Sequence, residues 1–499
     1  MTPIANLQLE TATRPEGLKR VVIEPITRVE GHGKITLLLD EQNHVKQARL
    51  HIVEFRGFEK FIQGRPYWEI PVLVQRLCGI CPVSHHLAAA KAMDMLVGAR
   101  KLMPTAEKLR RLLHYGQTLQ SHALHFFHLA SPDLLFGYDA DVATRNIVGV
   151  IQAHPGIAVQ GVMLRKYGQE VIRVLSGKRV HGNFAIAGGV NKEFTKADRD
   201  YLLKDLDQVL QWSKGAVDIA RGLYLGNLEQ NANFGAFRSN FLSLTSPDGS
   251  FELYDGGLRA TDADGSRIFD QVNNDHYLRH LHEEVKSWSY MKFPFIVALG
   301  NDEGWYRVGP LARINNAERM PTPMAEEERR RFAALGEGGP VHATMAYHWA
   351  RMIEMLYAAE AIKELLEDQD LYGRELMTQG ERALEGVGVI EAPRGTLIHH
   401  YEIDETDAVV KANLIVATTH NNTAMNTAVR EVAAHYLDGK ELTEGLLNHI
   451  EVAIRAYDPC LSCATHALGK MPLEVELLDA GGHQVDRLVR NADSSCEGN

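Results

Sequence analysis

The chain has 499 residues, enough for one large core with peripheral insertions or for two to three average domains. Acidic residues outnumber basic ones by 64 to 53, and the formal charge of −11 disfavours a nucleic-acid partner. No apolar run reaches the roughly 20 residues of a membrane-spanning helix, and the polar start of the chain lacks a signal-like stretch. Five cysteines exclude a disulfide-rich scaffold, and we expect a reducing, cytoplasmic compartment.

The apolar patterns predict a mainly α chain with minor β structure. Alternating or β-branched residues predict strands at 18–26, 33–40, 45–55, 395–403 and 412–418. Helical spacing predicts helices at 71–100, 105–130, 344–368, 422–436 and 443–456. From about residue 230 to 340, turn-forming Gly, Asp, Asn and Pro residues predict a peripheral, partly β section rather than a separate domain.

Four of the five cysteines form two Cys-x-x-Cys pairs, Cys78/Cys81 and Cys460/Cys463. Two intervening residues allow both thiolates of a pair to bind one metal, so the two pairs together can form a four-thiolate site. Structural zinc is one interpretation, but the pairs stand near opposite ends of the chain, far beyond the usual zinc-motif spacing. Two separate redox motifs are another, but neither pair follows a strand in a βαβ pattern. Spacing alone favours a shared site without choosing among nickel, zinc, copper(I) and iron–sulfur.

Further motifs occur in order with the cysteine pairs. They are Arg28-Val-Glu-Gly-His32, Arg56-Gly-Phe-Glu59, Ala392-Pro-Arg-Gly-Thr-Leu397 and Asp458-Pro-Cys-Leu-Ser-Cys-Ala-Thr-His466. This set resembles the large, catalytic subunit of the [NiFe]-hydrogenases over nearly the whole chain, from about Lys19 onward. Ser84-His-His-Leu-Ala and Ala417-Thr-Thr-His-Asn-Asn are most similar to the cytoplasmic, bidirectional NAD-linked branch. The resemblance implies the [NiFe]-hydrogenase large-subunit fold, with a long helical core and peripheral β sections.

The resemblance also implies a nickel–iron centre. All four thiolates would bind nickel, and Cys81 and Cys463 would also bridge to an iron that carries carbon monoxide and cyanide. His85 would hydrogen-bond a bridging sulfur. Thr418 would donate a hydrogen bond to a cyanide ligand.

A set of charged residues would serve the reaction around this centre. Arg394 would lie over the open side of the cluster and polarise H2, with Asp458 paired to it. Glu30 would relay the proton, which it would receive from the thiolate of Cys460. Many respiratory members carry Asp-His where this chain has Ser121-His122, so we expect hydrogen bonding around Arg394 to differ.

A second, hard metal is implied near the C-terminus. Glu59, the main-chain carbonyl of Leu414 and His466 match the family's magnesium-binding positions, and oxygen ligands with several waters suit Mg2+. The remaining histidines of these segments are interpreted as packing, capping or structural residues: His125, His128, His399 and His400.

The resemblance further implies that residues 467–499 are a propeptide, which a dedicated endopeptidase removes after His466 once nickel is in place. Residues 1–466 would then form a single catalytic domain. The attached tail could hold Cys460 and Cys463 away from the pocket until nickel arrives, and Cys496 would leave with the tail.

The sequence contains no motif of its own for a group that would carry electrons away from the metal site. After the four nickel thiolates no cysteines remain for iron–sulfur clusters, and Gly386-Val-Gly388 is too short for a dinucleotide-binding motif. We therefore expect two kinds of partner: an iron–sulfur small subunit, and diaphorase subunits that bind flavin and NAD(P). The leading hypothesis is reversible H2 oxidation coupled to NAD+ or NADP+. The alternatives are another acceptor such as ferredoxin or a deazaflavin, a hydrogen sensor, a complex-I-like scaffold subunit, and a zinc-stabilised interaction protein.

Overall fold

The computed structural model describes residues 9–465 and, beyond them, strands at 473–478, 484–490 and 496–498. Helix accounts for 49% of the chain and strand for 18%, which confirms the prediction of a mainly α protein with minor β structure. His466 and the other residues between these ranges lie outside the described part of the chain.

The helices have these bounds: α1 Phe58–Phe61, α2 Ile70–Leu73, α3 Pro82–Leu96, α4 Pro104–Leu124, α5 Ser131–Phe136, α6 Ile147–Ala153, α7 Pro155–Ser176, α8 Lys196–Leu203, α9 Leu206–Gly226, α10 Leu228–Asn233, α11 Gly300–Glu303, α12 Pro310–Asn316, α13 Pro323–Ala333, α14 Ala346–Glu367, α15 Ala417–His420, α16 Asn422–Val432 and α17 Glu444–Ala456. The strands have these bounds: β1 Lys19–Ile23, β2 Gly33–Leu39, β3 Val45–Ile52, β4 Ala185–Ile186, β5 Gly189–Val190, β6 Asn240–Thr245, β7 Gly257–Thr261, β8 Arg267–Val272, β9 Leu281–Glu284, β10 Phe293–Ile296, β11 Tyr306–Arg307, β12 Glu385–Ala392, β13 Gly395–Ile403, β14 Val409–Ile415, β15 Leu473–Leu478, β16 Gln484–Arg490 and β17 Cys496–Gly498.

Four long helices, α4, α7, α9 and α14, pack against one another and form the helical core. The predicted apolar stripes face this core, with Leu112 and Leu119 of α4 and Trp349 and Ile353 of α14 at most 1% exposed. Each fully buried side chain of this size contributes about 1.5–3 kcal/mol. Within the part of the chain that the structure describes, no single helix is long and apolar enough to cross a membrane, although the sharply bent pair α6–α7 meets the length and composition criteria.

The predicted helix over 71–100 is wrong in its first third. The chain forms the short α2, a 3-10 turn at Val74–Leu77 and then a loop, and α3 begins only at Pro82. Cys78 is fully extended, with φ −144° and ψ 139°. Pro82 cannot donate a backbone hydrogen bond to a preceding helical turn, so the helix starts there and the first cysteine pair is left in a loop.

Two antiparallel sheets lie next to the segments that carry the predicted site residues. One has the order β1-β2-β3 and confirms the three strands predicted at the start of the chain. The other has the order β12-β13-β14, and its first strand was not predicted. Helix α3 packs on β12 so closely that a Cβ at Gly388 would lie 2.0 Å from the carbonyl oxygen of Ala88. Gly386 and Gly388 therefore serve the packing of helix on sheet.

The section from about 230 to 340 contains the predicted β structure. Its main sheet has the order β11-β6-β7-β8, and every residue of β6 is buried. The backbone N–H of Leu244 in β6 donates to the carboxylate of Glu391 in β12 at 2.9 Å. This section thus touches the strand that leads into Arg394, and its place within a single catalytic domain stays a prediction.

Candidate metal centre

The four cysteines of the two pairs meet in one buried cluster. The ligand atoms of Cys78, Cys81, Cys460 and Cys463 all lie within 4.8 Å of one another, and none of the four residues is more than 5% exposed. The Sγ atoms of Cys78 and Cys460 are 3.3 Å apart, and those of Cys460 and Cys463 adjoin each other.

The first pair is fixed by the loop that precedes α3. The Sγ atom of Cys78 accepts hydrogen bonds from the backbone N–H groups of Ile80 at 3.2 Å and Cys81 at 3.3 Å. Burial raises the pKa of the Cys78 thiol, but the hydrogen bonds from Cys81 and the charge of Arg394 together outweigh burial and bring the pKa below its usual value. The loop is therefore built to hold a thiolate at Cys78.

The second pair is fixed by the turn that contains Glu30. Glu30 and Cys460 form an isolated parallel β-bridge, in which the Glu30 carbonyl accepts from the N–H of Leu461 at 3.0 Å. The N–H of Cys460 donates to the hydroxyl oxygen of Thr418 at 2.9 Å. The carboxylate of Glu30 accepts from both the backbone N–H (3.3 Å) and the hydroxyl of Ser462. Glu30 thus lies beside the second pair, with its carboxylate on Ser462 rather than on a sulfur.

Arg394 is buried beside the sulfurs. Its Nε donates to the carbonyl of Asp458 at 2.6 Å and its Nη2 to the Asp458 carboxylate at 3.0 Å, so the expected pair forms. Its Nη1 lies 3.4 Å from the hydroxyl of Ser121. Burial alone lowers the pKa of Arg394, but the nearby charges of Asp458 and the cysteines outweigh it and raise the pKa above its usual value. Arg394 is therefore a permanent cation next to the cluster.

A small cavity lies between the sulfurs and Arg394. Its walls are mostly apolar, and its polar lining groups are few: Cys81, Cys460, Arg394, His85 and Thr418. The Nδ1 atom of His85 is hydrogen-bonded to Nε2 of His399 at 3.1 Å, and Nδ1 of His399 to the hydroxyl of Tyr401 at 2.6 Å. Burial lowers the pKa of His85 to about 3, so the ring is neutral. We call these four sulfurs with Arg394 and this cavity the sulfur pocket.

Comparison with known proteins decides the family. A model described as nickel-dependent hydrogenase matches residues 56–145 and 252–466, and a HoxL-like model matches residues 20–55. The chain belongs to the nickel-dependent hydrogenases. This hydrogenase subunit is 48% identical over 487 residues to subunit beta of the NAD-reducing hydrogenase HoxS of Cupriavidus necator, covering 95% of this chain and 100% of that one.

Other relatives agree with this assignment. The hydrogenase subunit is 41% identical over 477 residues to a subunit of the F420-non-reducing hydrogenase of Methanothermobacter thermautotrophicus, with 94% and 100% of the two chains covered. A solved NAD+-reducing [NiFe]-hydrogenase in the H2-reduced state superimposes with a TM-score of 0.88 at 55% identity, over 91% of this chain and 100% of that one. The expected [NiFe]-hydrogenase large-subunit fold is confirmed.

A second group of charged residues in the hydrogenase subunit surrounds Glu59. The carboxylate of Glu59 accepts from the N–H of Leu414 at 2.9 Å, and Lys292 donates to Glu283 at 2.9 Å close by. Burial raises the pKa of Glu59, and the charge of Lys292 opposes that shift. One buried oxygen of Glu283 has no hydrogen-bond partner among the described residues. We call these four residues the Glu59 site; the third predicted magnesium ligand, His466, lies outside the described part of the chain.

The other histidines differ in their roles. His125 donates from Nε2 to the carbonyl of Arg455 and stacks on His348, as expected of a packing residue. His400 lies between Tyr277 and Glu385 and is also structural. His399 was expected to be structural, but it is the hydrogen-bond partner of His85 in the sulfur pocket.

Three residues of these sites were missed by sequence reasoning. Ser462, Glu283 and Lys292 carry no motif of their own. For Ser462 the one signal was its place inside the second Cys-x-x-Cys pair. For Glu283 and Lys292 no sequence signal existed, because the hairpin β9–β10 brings them together from a section without motifs.

Proposed function

We propose that this hydrogenase subunit catalyses the reversible heterolytic cleavage of H2 and that its electrons pass through partner subunits to NAD+ or NADP+. The observation that carries the proposal is the buried cluster of four cysteine sulfurs beside the Arg394 cation. The intact cysteines disfavour a complex-I-like scaffold. The family match and the NAD-reducing relative disfavour a hydrogen sensor and a zinc-stabilised interaction protein.

The residues present fit a nickel–iron centre. Soft thiolates suit nickel and iron, and a mostly apolar cavity with few donors suits small ligands such as carbon monoxide and cyanide. Nickel would be held by Cys78, Cys81, Cys460 and Cys463, of which Cys81 and Cys463 would also hold the iron. When bound, this centre supplies a soft, redox-active acceptor for the electron pair of H2.

Polar residues of the pocket would orient the ligands and the substrate. Arg394, held by Asp458, would polarise H2 and donate a hydrogen bond to a cyanide. The oxygen of Thr418 already accepts from Cys460, so its own hydrogen is available to a second cyanide. His85 is neutral and can donate to a bridging sulfur, provided that its ring proton faces the pocket rather than His399.

The proton leaves through Cys460 and Glu30. Two donors of Ser462 hold the carboxylate of Glu30 beside the second cysteine pair. Glu30 is only half-buried, so it links the buried sulfurs with the solvent. A carboxylate held at this point accepts the proton from the Cys460 thiol and passes it outward.

The electrons leave through partner subunits. Four of the chain's five cysteines are in the sulfur pocket, so no set of thiolates remains for an iron–sulfur cluster. The segment before the first cysteine pair exposes Phe55, Phe61 and Trp68, each at least 45% exposed. Exposed large apolar side chains in the segment that leads to the first cysteine pair suit contact with the iron–sulfur subunit, and flavin-containing diaphorase subunits would follow it. The F420-non-reducing relative makes a different electron acceptor the alternative.

The Glu59 site fits magnesium. Two half-buried carboxylates share one lysine, and one buried oxygen of Glu283 has no donor among the described residues. A hard divalent cation would supply it. Glu59, the carbonyl of Leu414 and His466 would be the ligands. We further propose that the enzyme works in the cytoplasm and that an endopeptidase cuts after His466 to release residues 467–499.

The test is an acceptor assay on the complex purified from cells that also produce the partner subunits and maturation proteins. H2-dependent reduction of NAD+ or NADP+ by the wild-type complex, lost in Cys463→Ser, supports the proposal. Reduction of an artificial dye without reduction of either nucleotide would overturn the assigned acceptor. No reduction of any acceptor by nickel-loaded protein would overturn the proposed reaction.

A further inference from the structure

A second buried arginine contacts the turn that carries Arg394. Strands β12 and β13 are joined by Pro393 and Arg394 alone, with Ala392 paired to Gly395 across the turn. Arg313 of α12 donates from Nη1 to the carbonyl of Ala392 at 2.9 Å and from Nη2 to that of Pro393 at 3.1 Å. One guanidinium therefore holds both carbonyl groups that precede Arg394.

Two carboxylates fix Arg313 itself. Glu354 of α14 accepts from its Nε and Nη2, both at 2.6 Å, and Glu391 of β12 accepts from its Nη1 at 2.7 Å. All three side chains are at most 1% exposed. The guanidinium is planar and donates to two carboxylates in the protein interior, so these hydrogen bonds fix its orientation. The ammonium group of a lysine could not make the same set of hydrogen bonds.

Two glycines allow α12 to approach the turn. Gly309, directly before α12, has φ +89°, and a Cβ there would lie 2.6 Å from the carbonyl oxygen of Arg394. Gly395 has φ +141°, and a Cβ there would lie 2.3 Å from the side chain of Val308. A larger residue at either position would push the turn away from the helix that bears Arg313.

Arg394 depends on such support because its side chain is held on one side only. Asp458 accepts two of its hydrogen bonds, but its Nη1 has only the 3.4 Å contact with Ser121. We propose that Arg313 is a positioning residue for Arg394: it fixes the turn so that the guanidinium of Arg394 faces the sulfur pocket. The inference rests on the proposed function of Arg394 at that pocket.

The test compares Arg313→Lys with a matched control, Arg110→Lys. Arg110 is also a fully buried guanidinium, paired with Asp94 and donating to the carbonyls of Ile186 and Gly189, but it lies outside the pocket. Each variant is made in the wild type and in Arg394→Lys. The measurements on the purified complex are the H2/D2O exchange rate per bound nickel, the thermal unfolding midpoint, and amide hydrogen exchange over residues 392–396.

We expect both single variants to lower the unfolding midpoint by similar amounts. Only Arg313→Lys should slow H2/D2O exchange, by about tenfold, and speed amide exchange in the turn. In the Arg394→Lys background, Arg313→Lys should change the rate less than about twofold, because it acts through Arg394. Equal activities of the two single variants, or a full tenfold further loss in the Arg394→Lys background, would overturn the proposal.

A second variant keeps the test decisive if Arg313→Lys is not recovered in folded form. Glu354→Gln leaves Arg313 in place but removes the charge that aligns it, and we expect the same pattern with about a threefold effect. Unchanged amide exchange over residues 392–396 in this variant would overturn the role of Arg313. If wild-type protein with bound nickel shows no H2/D2O exchange, the proposed function fails, whereas the amide exchange still decides whether Arg313 holds the turn.

Discussion

The sulfur pocket and the Glu59 site are completed by the fold to different degrees. In the sulfur pocket, residues from opposite ends of the chain place four ligand atoms within 4.8 Å of one another, and Arg394 already has its partner. At the Glu59 site, Glu59 and Glu283 share the positive charge of Lys292, and one carboxylate oxygen has no partner among the described residues. The first site is set by backbone contacts, whereas at the second we propose that a further cation binds.

The difference has a physical cause. Backbone contacts fix the cysteines, through the bridge between Glu30 and Cys460 and through the helix start at Pro82. Buried carboxylates repel one another and are costly to bury without full compensation. We therefore expect the Glu59 site to be complete only when the proposed cation is bound.

The largest effect is expected from Cys460→Ser. The serine oxygen is a hard ligand and its alcohol does not ionise at neutral pH, so nickel should be lost and H2 oxidation should fall at least about 10³-fold. Nickel content and H2-dependent dye reduction measure this. Cys496→Ser is the matched control, because Cys496 lies in the tail, and it should keep full activity. Full activity in Cys460→Ser would contradict the four-thiolate assignment.

Glu30→Gln tests whether the carboxylate of Glu30 transfers protons from the sulfur pocket or only supports the structure around the second cysteine pair. Glutamine can still accept from Ser462 but cannot carry the proton, so nickel should stay bound while H2/D2O exchange falls about 10²-fold. Exchange measured by mass spectrometry, with the exposed Glu24→Gln as control, checks this. An unchanged exchange rate would remove Glu30 from the proton path.

Glu59→Gln tests whether the Glu59 site binds a cation. A cation at about 100 times its Kd stabilises the folded chain by about 2.7 kcal/mol. We expect added Mg2+ to raise the unfolding midpoint of the wild type and of the surface control Glu405→Gln, but not that of Glu59→Gln. A Mg2+ response that survives in Glu59→Gln would show that the site has been misplaced.

The smallest effect concerns His86, the neighbour of His85 on α3. Its Nδ1 donates to the carbonyl of Pro71 and its Nε2 accepts from the N–H of Ala185, and burial lowers its pKa to about 4. In the unfolded chain His86 takes up a proton near pH 6.5, whereas in the folded chain it stays neutral down to about pH 4. The contribution of neutral His86 to the free energy of unfolding is therefore present above pH 6.5 and is lost as the pH falls towards 4. By pH 5 the loss is about 2 kcal/mol.

His86→Gln should remove that acid sensitivity, because an amide can donate and accept at the same places without titrating. Urea unfolding at pH 7 and pH 5 measures the difference, and the exposed His435→Gln serves as control. Equal acid sensitivity in His86→Gln and wild type would mean that His86 is protonated in the folded chain.

Motifs predicted more of this molecule than hydrophobic periodicity did. The structure brings the four cysteines together beside Arg394. Metal chemistry restricts the spacing of the cysteines, whereas Arg394 was expected from the family resemblance alone. The helix over 71–100 was wrong because periodicity does not register that Pro82 ends one segment and starts another. β12 was missed because its Gly386 and Gly388 weaken a strand pattern, although they are what allows α3 to pack there. Isolated charged residues such as Arg313 gave no signal at all, since their partners come from distant elements.

The most direct test of the central claim is an infrared spectrum of the protein, produced with its maturation proteins and checked by mass to end at His466. Metal-bound cyanide and carbon monoxide absorb where the polypeptide does not. We predict these bands in the wild type and their absence in Cys463→Ser. Zinc in place of nickel, with no such bands in the processed wild-type chain, would contradict the account.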